Sequence, residues 1–308
     1  MHKFFYKLIF FILPILLLIL FIELKYRIIP NDYSYKSKYV KDNGKLIEVL
    51  ILGNSHTLTG INPDYFDQKS FNFSMDSQSI NYDYFILKKY IEELPGLQYI
   101  IIPISYPTLT KTLEDGIEHW RKYRYMHYMD YEDNDPTLRD KLSLNRYLFI
   151  NQLTRISLLN KIWGYWFYHQ DNISCEPNGW VSFSSDIQEN LKISAKETAQ
   201  RHEDPAFDTN KNMKYLKDII NLGKRHNFKI LLVTPPATSY YIDYLDNNKI
   251  DLITRACDAI AHEYTHVRYF NFFNDTSFSD SLFRNGDHLN NIGARVWSQK
   301  LNKSIKQF

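Results

Sequence analysis

The sequence predicts an α/β protein: a three-layer α/β/α sandwich built on a mostly parallel sheet. Three observations carry that prediction. Short, nearly uninterrupted apolar runs have the length and composition of strands buried on both faces. They alternate along the chain with longer segments whose apolar residues recur at helical spacing. A chain of 308 residues is long enough to bury such a core.

The elements follow in order. Residues 47–52 (IEVLIL) are a buried strand that ends on Gly53, and residues 71–75 form a second strand. Residues 82–94 carry apolar side chains at helical spacing, stop at Pro95 and Gly96, and lead into a third strand at 99–104 (YIIIPI). Toward the end come a helix at 213–225, a strand at 229–234 (KILLVT), a helix at 250–264 and a strand at 267–273. A last helix covers 291 to about 305. In parallel sheets of this kind, ligands bind beyond the carboxyl ends of the strands, so the residues just after each strand matter most.

Composition narrows the function class. Of the residues, 44% are hydrophobic and 23% charged, with 37 basic against 35 acidic side chains, which is an ordinary globular balance. A net charge of +2 supplies no single-sign field for a nucleic-acid partner. Two cysteines, Cys175 and Cys257, make neither a disulfide framework nor a cysteine metal site and read as separate thiols.

One stretch departs from this average. From Phe4 to Ile22 the only charge is Lys7, over a length suited to one membrane crossing. The residues around its end, Phe21-Ile22-Glu23-Leu24-Lys25, contain no small-residue cleavage site, so an uncleaved single-pass anchor is expected rather than a signal peptide. Lys3 and Lys7 favour a cytoplasmic N-terminus, whereas Lys25 and Arg27 on the other side pull against it; the body is expected outside the cytoplasm. The chain therefore divides into an anchor (1–30), a polar tether (31–44) and an α/β body (45–308).

Between about 106 and 208 the alternation gives way to a largely helical insertion rich in aromatics: Trp120, Tyr123, Tyr125, Tyr128, Trp163, Tyr165, Trp166 and Trp180. These rings suit packing of the insertion against its surroundings, or an aromatic platform for a sugar or lipid chain.

The chemistry-bearing residues lie near the two ends of the body. Gly53-Asn54-Ser55-His56 follows the first strand directly, so Ser55 sits at the carboxyl edge of the sheet. Asn285-Gly286-Asp287-His288-Leu289-Asn290 precedes the last helix, in a loop that also reaches the strand ends. A serine hydroxyl is a poor nucleophile until an imidazole takes its proton, so an early Ser and a late His joined by the fold make chemical sense.

With Ile51-Leu52-Gly53-Asn54-Ser55 after strand one, and His288-Leu289-Asn290 with Gly293 before the last helix, the chain resembles the SGNH, or GDSL-like, hydrolase superfamily. The resemblance covers roughly residues 45–105 and 210–305. The anchored G-N-S-H and D-H-L-N-x-x-G combination looks like the envelope branch that acts in O-acetylation of cell-wall and exported polysaccharides. It implies Ser55 as nucleophile and His288 as general base, with an acyl-enzyme that passes its acyl group to water or to a sugar hydroxyl. No cofactor or metal is implied. The partners implied are an envelope polysaccharide or acyl donor and a membrane-bound acyltransferase.

Three positions depart from the superfamily pattern. The triad aspartate usually stands three residues before the histidine, where this chain has Asn285. An amide there can select the wrong imidazole tautomer, which in one serine protease lowers turnover by about 10⁴. Asp287 and Asp280 are the substitutes, but a side chain adjacent to His288 is expected to point elsewhere, so Asn285 ranks as the group that assists the Ser-His pair. The usual oxyanion glycine and asparagine are replaced by the loops Ser74-Met75-Asp76-Ser77-Gln78 and Ile104-Ser105-Tyr106-Pro107. The Ser55 N–H, Ser77 and Gln78 are then the candidate oxyanion donors. Asn54 replaces the name-giving Asp, a position outside the usual catalytic scheme. His56, next to the nucleophile, is expected to point away from it and to shape the site.

His262-Glu263-Tyr264-Thr265-His266 spells H-E-x-x-H, a zinc metallopeptidase signature. The apolar stripe Ile253, Cys257, Ile260, Ala261, Tyr264 leaves His262 facing solvent, and Thr265 and Val267 open a strand, so the helix is expected to end before His266. The leading expectation is a membrane-anchored serine esterase or O-acyltransferase. A catalytically silent SGNH-like glycan-binding or scaffold domain is the alternative, and a zinc peptidase is third.

Overall fold

A computed structural model of the chain describes residues 2–133, 141, 156–183 and 187–308. They fall into two compact units, one made of residues 1–37 and 120–174 and the other of residues 38–119 and 175–308.

The larger unit holds a five-stranded, wholly parallel sheet of β1 (Val49–Ile51), β2 (Ser70–Asn72), β3 (Tyr99–Pro103), β4 (Lys229–Thr234) and β5 (Val267–Asn271), in the order β2-β1-β3-β4-β5. Val49 pairs with Ser70 on one side and Tyr99 on the other, and Tyr99 pairs in turn with Lys229. Helices cover both faces, so β1 and most of β3 and β4 are buried, which is why these strands read as apolar runs without alternation. Odd-numbered side chains Val49, Ile51, Ile101, Leu231 and Val233 point to one face. There they meet Trp297, Leu301 and Ile305 of the last helix, Asn291–Ile305. Trp297 is fully buried, and its replacement by Ala would cost about 3–5 kcal/mol. On the other face the helices Ile80–Tyr90 and Asn210–His226 pack against each other.

The strand order reverses between β1 and β3, and the crevice beyond the ends of those two strands is the switch point where ligands bind in such sheets. The segments that leave there are Gly53–His56 and Ile104–Tyr106. The helices are numbered α1 (His2–Arg27), α2 (Asp32–Asn43), α3 (Ser55–Gly60), α4 (Ile80–Tyr90), α5 (Lys122–Met129), α6 (Ile156–Tyr168), α7 (Leu191–His202), α8 (Asn210–His226), α9 (Ser239–Ile242), α10 (Asn247–Glu263) and α11 (Asn291–Ile305). The polar tether of the sequence reading is therefore helical. Asn31 folds back on this start, its side-chain oxygen accepting the Tyr33 and Ser34 N–H groups, and Lys38 pairs with Asp42 one turn on.

In the smaller unit α1 contains a 25-residue stretch, Lys3–Arg27, long and apolar enough to cross a membrane. At its end, Tyr26 and, two residues past Arg27, Ile29 form a small buried cluster with Tyr128, Ile162 and Tyr165. Lys25 Nζ lies 3.7 Å from the centre of the Trp166 ring, and Trp163 stacks on Phe167. The described part of the insertion is helical in α5, α6 and α7, while its residues 134–140, 142–155 and 184–186 lie outside the described ones. The two cysteines are free thiols.

Candidate active site

Ser55 owes its place to Gly53 and Asn54. The Gly53 backbone has φ +110°, a region side chains disfavour, and a Cβ there would come within 2.1 Å of Pro103 Cγ. The sharp turn is tied down on both sides: the Gly53 N–H donates to Asp83 Oδ1 at 2.8 Å, and its carbonyl accepts the Met75 N–H at 3.1 Å. Asn54 then caps α3, its Oδ1 accepting the His56 N–H at 3.1 Å. This leaves Ser55 half-buried at the first position of α3, beyond the end of β1.

The opposing loop, 283–289, is a narrow hairpin closed by an antiparallel bridge between Phe283 and Leu289 and by the Arg284 N–H on the His288 carbonyl. Its tip is wedged in place. A Cβ on Gly286 would fall 2.4 Å from Ala195 Cα of α7, and the Gly286 carbonyl accepts both the N–H and the hydroxyl of Thr238. Beyond the hairpin, Asn290 caps α11 by accepting the Ile292 and Gly293 N–H groups, and Gly293 leaves room for the Leu282 carbonyl. The D-H-L-N-x-x-G block is thus a hairpin end followed by a helix start.

This framework brings Ser55 and His288 together. Ser55 Oγ lies 2.8 Å from His288 Nε2, and His288 Nδ1 lies 2.9 Å from Asp287 Oδ1 and 3.2 Å from Asn285 Oδ1. The arrangement is that of a hydroxyl donating to an imidazole whose other nitrogen donates to a carboxylate. Adjacency does not turn Asp287 away from His288. The hairpin tip bends so tightly about Gly286 that neighbouring side chains converge. Asn285 Oδ1 has a further task, accepting the backbone N–H of Asp287 at 3.2 Å and of His288 at 2.9 Å, which holds the bend. Asp280 is exposed in a short 3₁₀ turn.

His56 also enters the site. Its Nε2 lies 3.0 Å from Asp287 Oδ2, its Nδ1 lies 2.9 Å from Asn54 Oδ1, and its ring stacks on that of His288. Behind it His202 of α7 reaches the Tyr241 hydroxyl of α9 at 2.7 Å. Burial alone would raise the Asp287 carboxyl, but the His288 charge and hydrogen bond, with those of His56, hold it well below the usual carboxylate range. For His288, burial is outweighed by the Asp287 charge and hydrogen bond, and its pKa is raised. Burial prevails at His56, which is lowered, and at His202, pushed down to about 3.

The oxyanion candidates are placed as follows. The Ser55 N–H stands at the start of α3. Gln78 is buried and its amide donates to Asp83 Oδ1 at 2.6 Å, while the exposed Ser77 hydroxyl donates to Glu118. Both side chains thus have other engagements. The loop after β3 contributes Ser105, whose hydroxyl accepts from Asn54 Nδ2 at 3.4 Å and shares a hydrogen with Thr108.

Sequence reasoning missed Asp83. It is buried, bonded to Gly53 and Gln78, and burial pushes its carboxyl up to about 7 against those hydrogen bonds. The signal was available, because Asp83 falls in the buried stripe Ile80, Asp83, Leu87, Tyr90 of α4. Nothing local pointed to His202 or Tyr241.

In the H-E-x-x-H segment, α10 ends at Glu263 and Tyr264 is already extended, so His262 and His266 share no helical face. His262 bonds the Asp258 carbonyl one turn back, and His266 bonds the Ile220 carbonyl of α8. Among the described residues, His56, Asp287 and His288 form the group dense enough in donor atoms to suggest a metal. Their two rings lie in planes 7° from parallel with centroids 4.7 Å apart, so the in-plane lone pairs run side by side and do not converge on one ion.

No protein-family model matches this chain, and no curated protein matches it. Among solved structures, a GDSL-like lipase from Bacteroides thetaiotaomicron is 10% identical, with 90% of this chain and 99% of that one covered and a TM-score of 0.45. A Bacteroides fragilis protein assigned as an acylhydrolase is 11% identical over 90% and 99%, with a TM-score of 0.45. An acetyl xylan esterase is 13% identical over 84% and 100%, with a TM-score of 0.41. With a serine after the first strand of a parallel sheet and an Asp-His pair before the last helix, this chain is similar to the SGNH, or GDSL-like, hydrolases.

Proposed function

We propose that this chain is a serine esterase or O-acyltransferase acting on acyl esters, acetyl above all, of cell-envelope or exported polysaccharide. The observation that carries the reading is the 2.8 Å contact between Ser55 Oγ and His288 Nε2, with Asp287 behind the imidazole. Ser55 Oγ attacks the ester carbonyl as His288 Nε2 takes its proton, the Ser55 N–H donates to the developing oxyanion, and His288 returns the proton to the departing alcohol. The acyl-enzyme then passes its acyl group to water or to a sugar hydroxyl, His288 again accepting the proton. The membrane-length apolar helix α1 supports a membrane location, and in this reading it is an uncleaved anchor with the body on the extracytoplasmic side, beside its polysaccharide and a membrane-bound acyl-donating partner.

The test compares wild type with Ser55→Ala, full-length in detergent, for labelling by a serine-directed phosphonate and for hydrolysis of an aryl acetate. Labelling and turnover in the wild type, absent from Ser55→Ala, are the expected result. Equal signals in both would refute Ser55. No signal in either would favour a silent, glycan-binding domain, the reading that the engagement of Gln78 with Asp83 supports.

A further inference from the structure

We propose that His56 is a fourth member of this site, a positioning residue that holds the outer oxygen of Asp287 so that the inner oxygen stays on His288. The inference rests on the esterase reading above and assigns a role within the same site.

It follows from counting protons and acceptors. Asp287 is only 2% exposed, so water cannot satisfy its carboxylate and each oxygen needs a protein donor. Oδ1 has His288 Nδ1 at 2.9 Å and Oδ2 has His56 Nε2 at 3.0 Å. A carboxylate only accepts, so His56 Nε2 carries a hydrogen whatever the charge of the ring. His202 Nδ1 is next nearest to Oδ2, at 4.0 Å, and is engaged with Tyr241. His56 is therefore the donor that keeps Asp287 from turning or from being left half-satisfied.

Asn54 Oδ1 accepts the His56 N–H and lies 2.9 Å from His56 Nδ1, a contact that becomes a second hydrogen bond when the ring is protonated on both nitrogens. His56 thus links the nucleophile's helix to the carboxylate of the opposing hairpin, while its face stacks on His288. One consequence is electrostatic. Two imidazoles draw on one carboxylate, so the hydrogen bond from His56 moderates the pull of Asp287 on His288. The ionisable groups that surround His56 are Asp287 and His288 of the hairpin and, on α7, His202 with Arg201 acting on it from the next position; Tyr241 of α9 and Tyr106 of the loop after β3 close that side.

The experiment pairs two variants of the full-length chain. His56→Phe keeps a ring against His288 and removes the donor. His56→Gln places an amide N–H near the former Nε2 and has no titrating group. The expected result for His56→Phe is a kcat about tenfold to a hundredfold lower on an aryl acetate, with little change in KM. The acid limb of its pH profile should also move to higher pH, because the carboxylate then acts on His288 alone. His56→Gln should recover most of kcat. Wild-type kcat and an unmoved acid limb in His56→Phe would overturn the proposal, as would equal losses in both variants with His288 titrating unchanged. Histidine-selective ¹⁵N NMR in a Ser55→Ala background reads the His288 titration without turnover, and an upward shift in His56→Phe is expected there too. Loss of phosphonate labelling in the wild type itself would instead count against the esterase reading.

Discussion

His56 and His288 lie face to face, ring centroids 4.7 Å apart and planes 7° from parallel, and each holds one oxygen of the Asp287 carboxylate. The carboxylate is thereby pinned at both oxygens, and on the proposed esterase reading the base is presented to Ser55 with its tautomer set.

Asp287 and Asn285 then differ in what their loss does. Asp287→Asn can present an N–H where His288 needs an acceptor, and kcat on an aryl acetate is expected to fall by about 10³–10⁴. Asn285→Ala removes the acceptor of two hairpin N–H groups and is expected to cost about tenfold through misplacement. Asn285→Asp brings no gain, since Asp287 already orients the ring. A rate increase in that variant would show that the missing carboxylate limits the chemistry.

The pH profile should carry the mark of His288. The base works neutral, and its raised pKa keeps it protonated to a higher pH than a free imidazole, whose value is about 6.5. The rate, as kcat/KM, is therefore expected to rise with pH along a limb centred above that value. Asp287→Asn should move the limb down.

Gly53→Ala tests the turn beneath the nucleophile. A Cβ at 2.1 Å from Pro103 Cγ, on a backbone at φ +110°, forces the turn open. A loss of about 3 kcal/mol or more is expected, read as a lower melting temperature together with lost phosphonate labelling.

Asp83 makes stability depend on pH. Its folded pKa, about 7, lies above the unfolded value near 3.9, so the folded chain binds the extra proton between them. Stability is therefore expected to fall as pH rises from about 4 to about 7. Asp83→Asn keeps an acceptor for the Gly53 and Gln78 N–H groups but cannot ionise. It should melt like wild type at pH 4 and roughly 5 °C higher at pH 8, measured by thermal unfolding. Equal melting temperatures at pH 8 would refute this account.

Much of the fold was legible in the sequence because its signals are local. A parallel strand buried on both faces must be apolar throughout, so KILLVT could be read to the residue as β4, and amphipathic spacing marked α8, α10 and α11 to within a few residues. The same logic put Ser55 and the hairpin of His288 at the loops beyond the strands. The polar segment after the apolar stretch gave no apolar periodicity to read, yet with a folded-back start and an i,i+4 ion pair it makes a helix. Which neighbours the imidazole would meet was decided only in three dimensions. Asp287, Asn285 and His56 are each one to three residues from a key residue, and direction at that range depends on a tip clamped between Ala195 and Thr238, far away in the chain. Gln78 was likewise diverted by Asp83, a buried carboxyl that only the packing of α4 brings beneath Gly53. Periodicity, a local property, set the layers of this protein, and long-range contacts at two tight turns aimed the side chains.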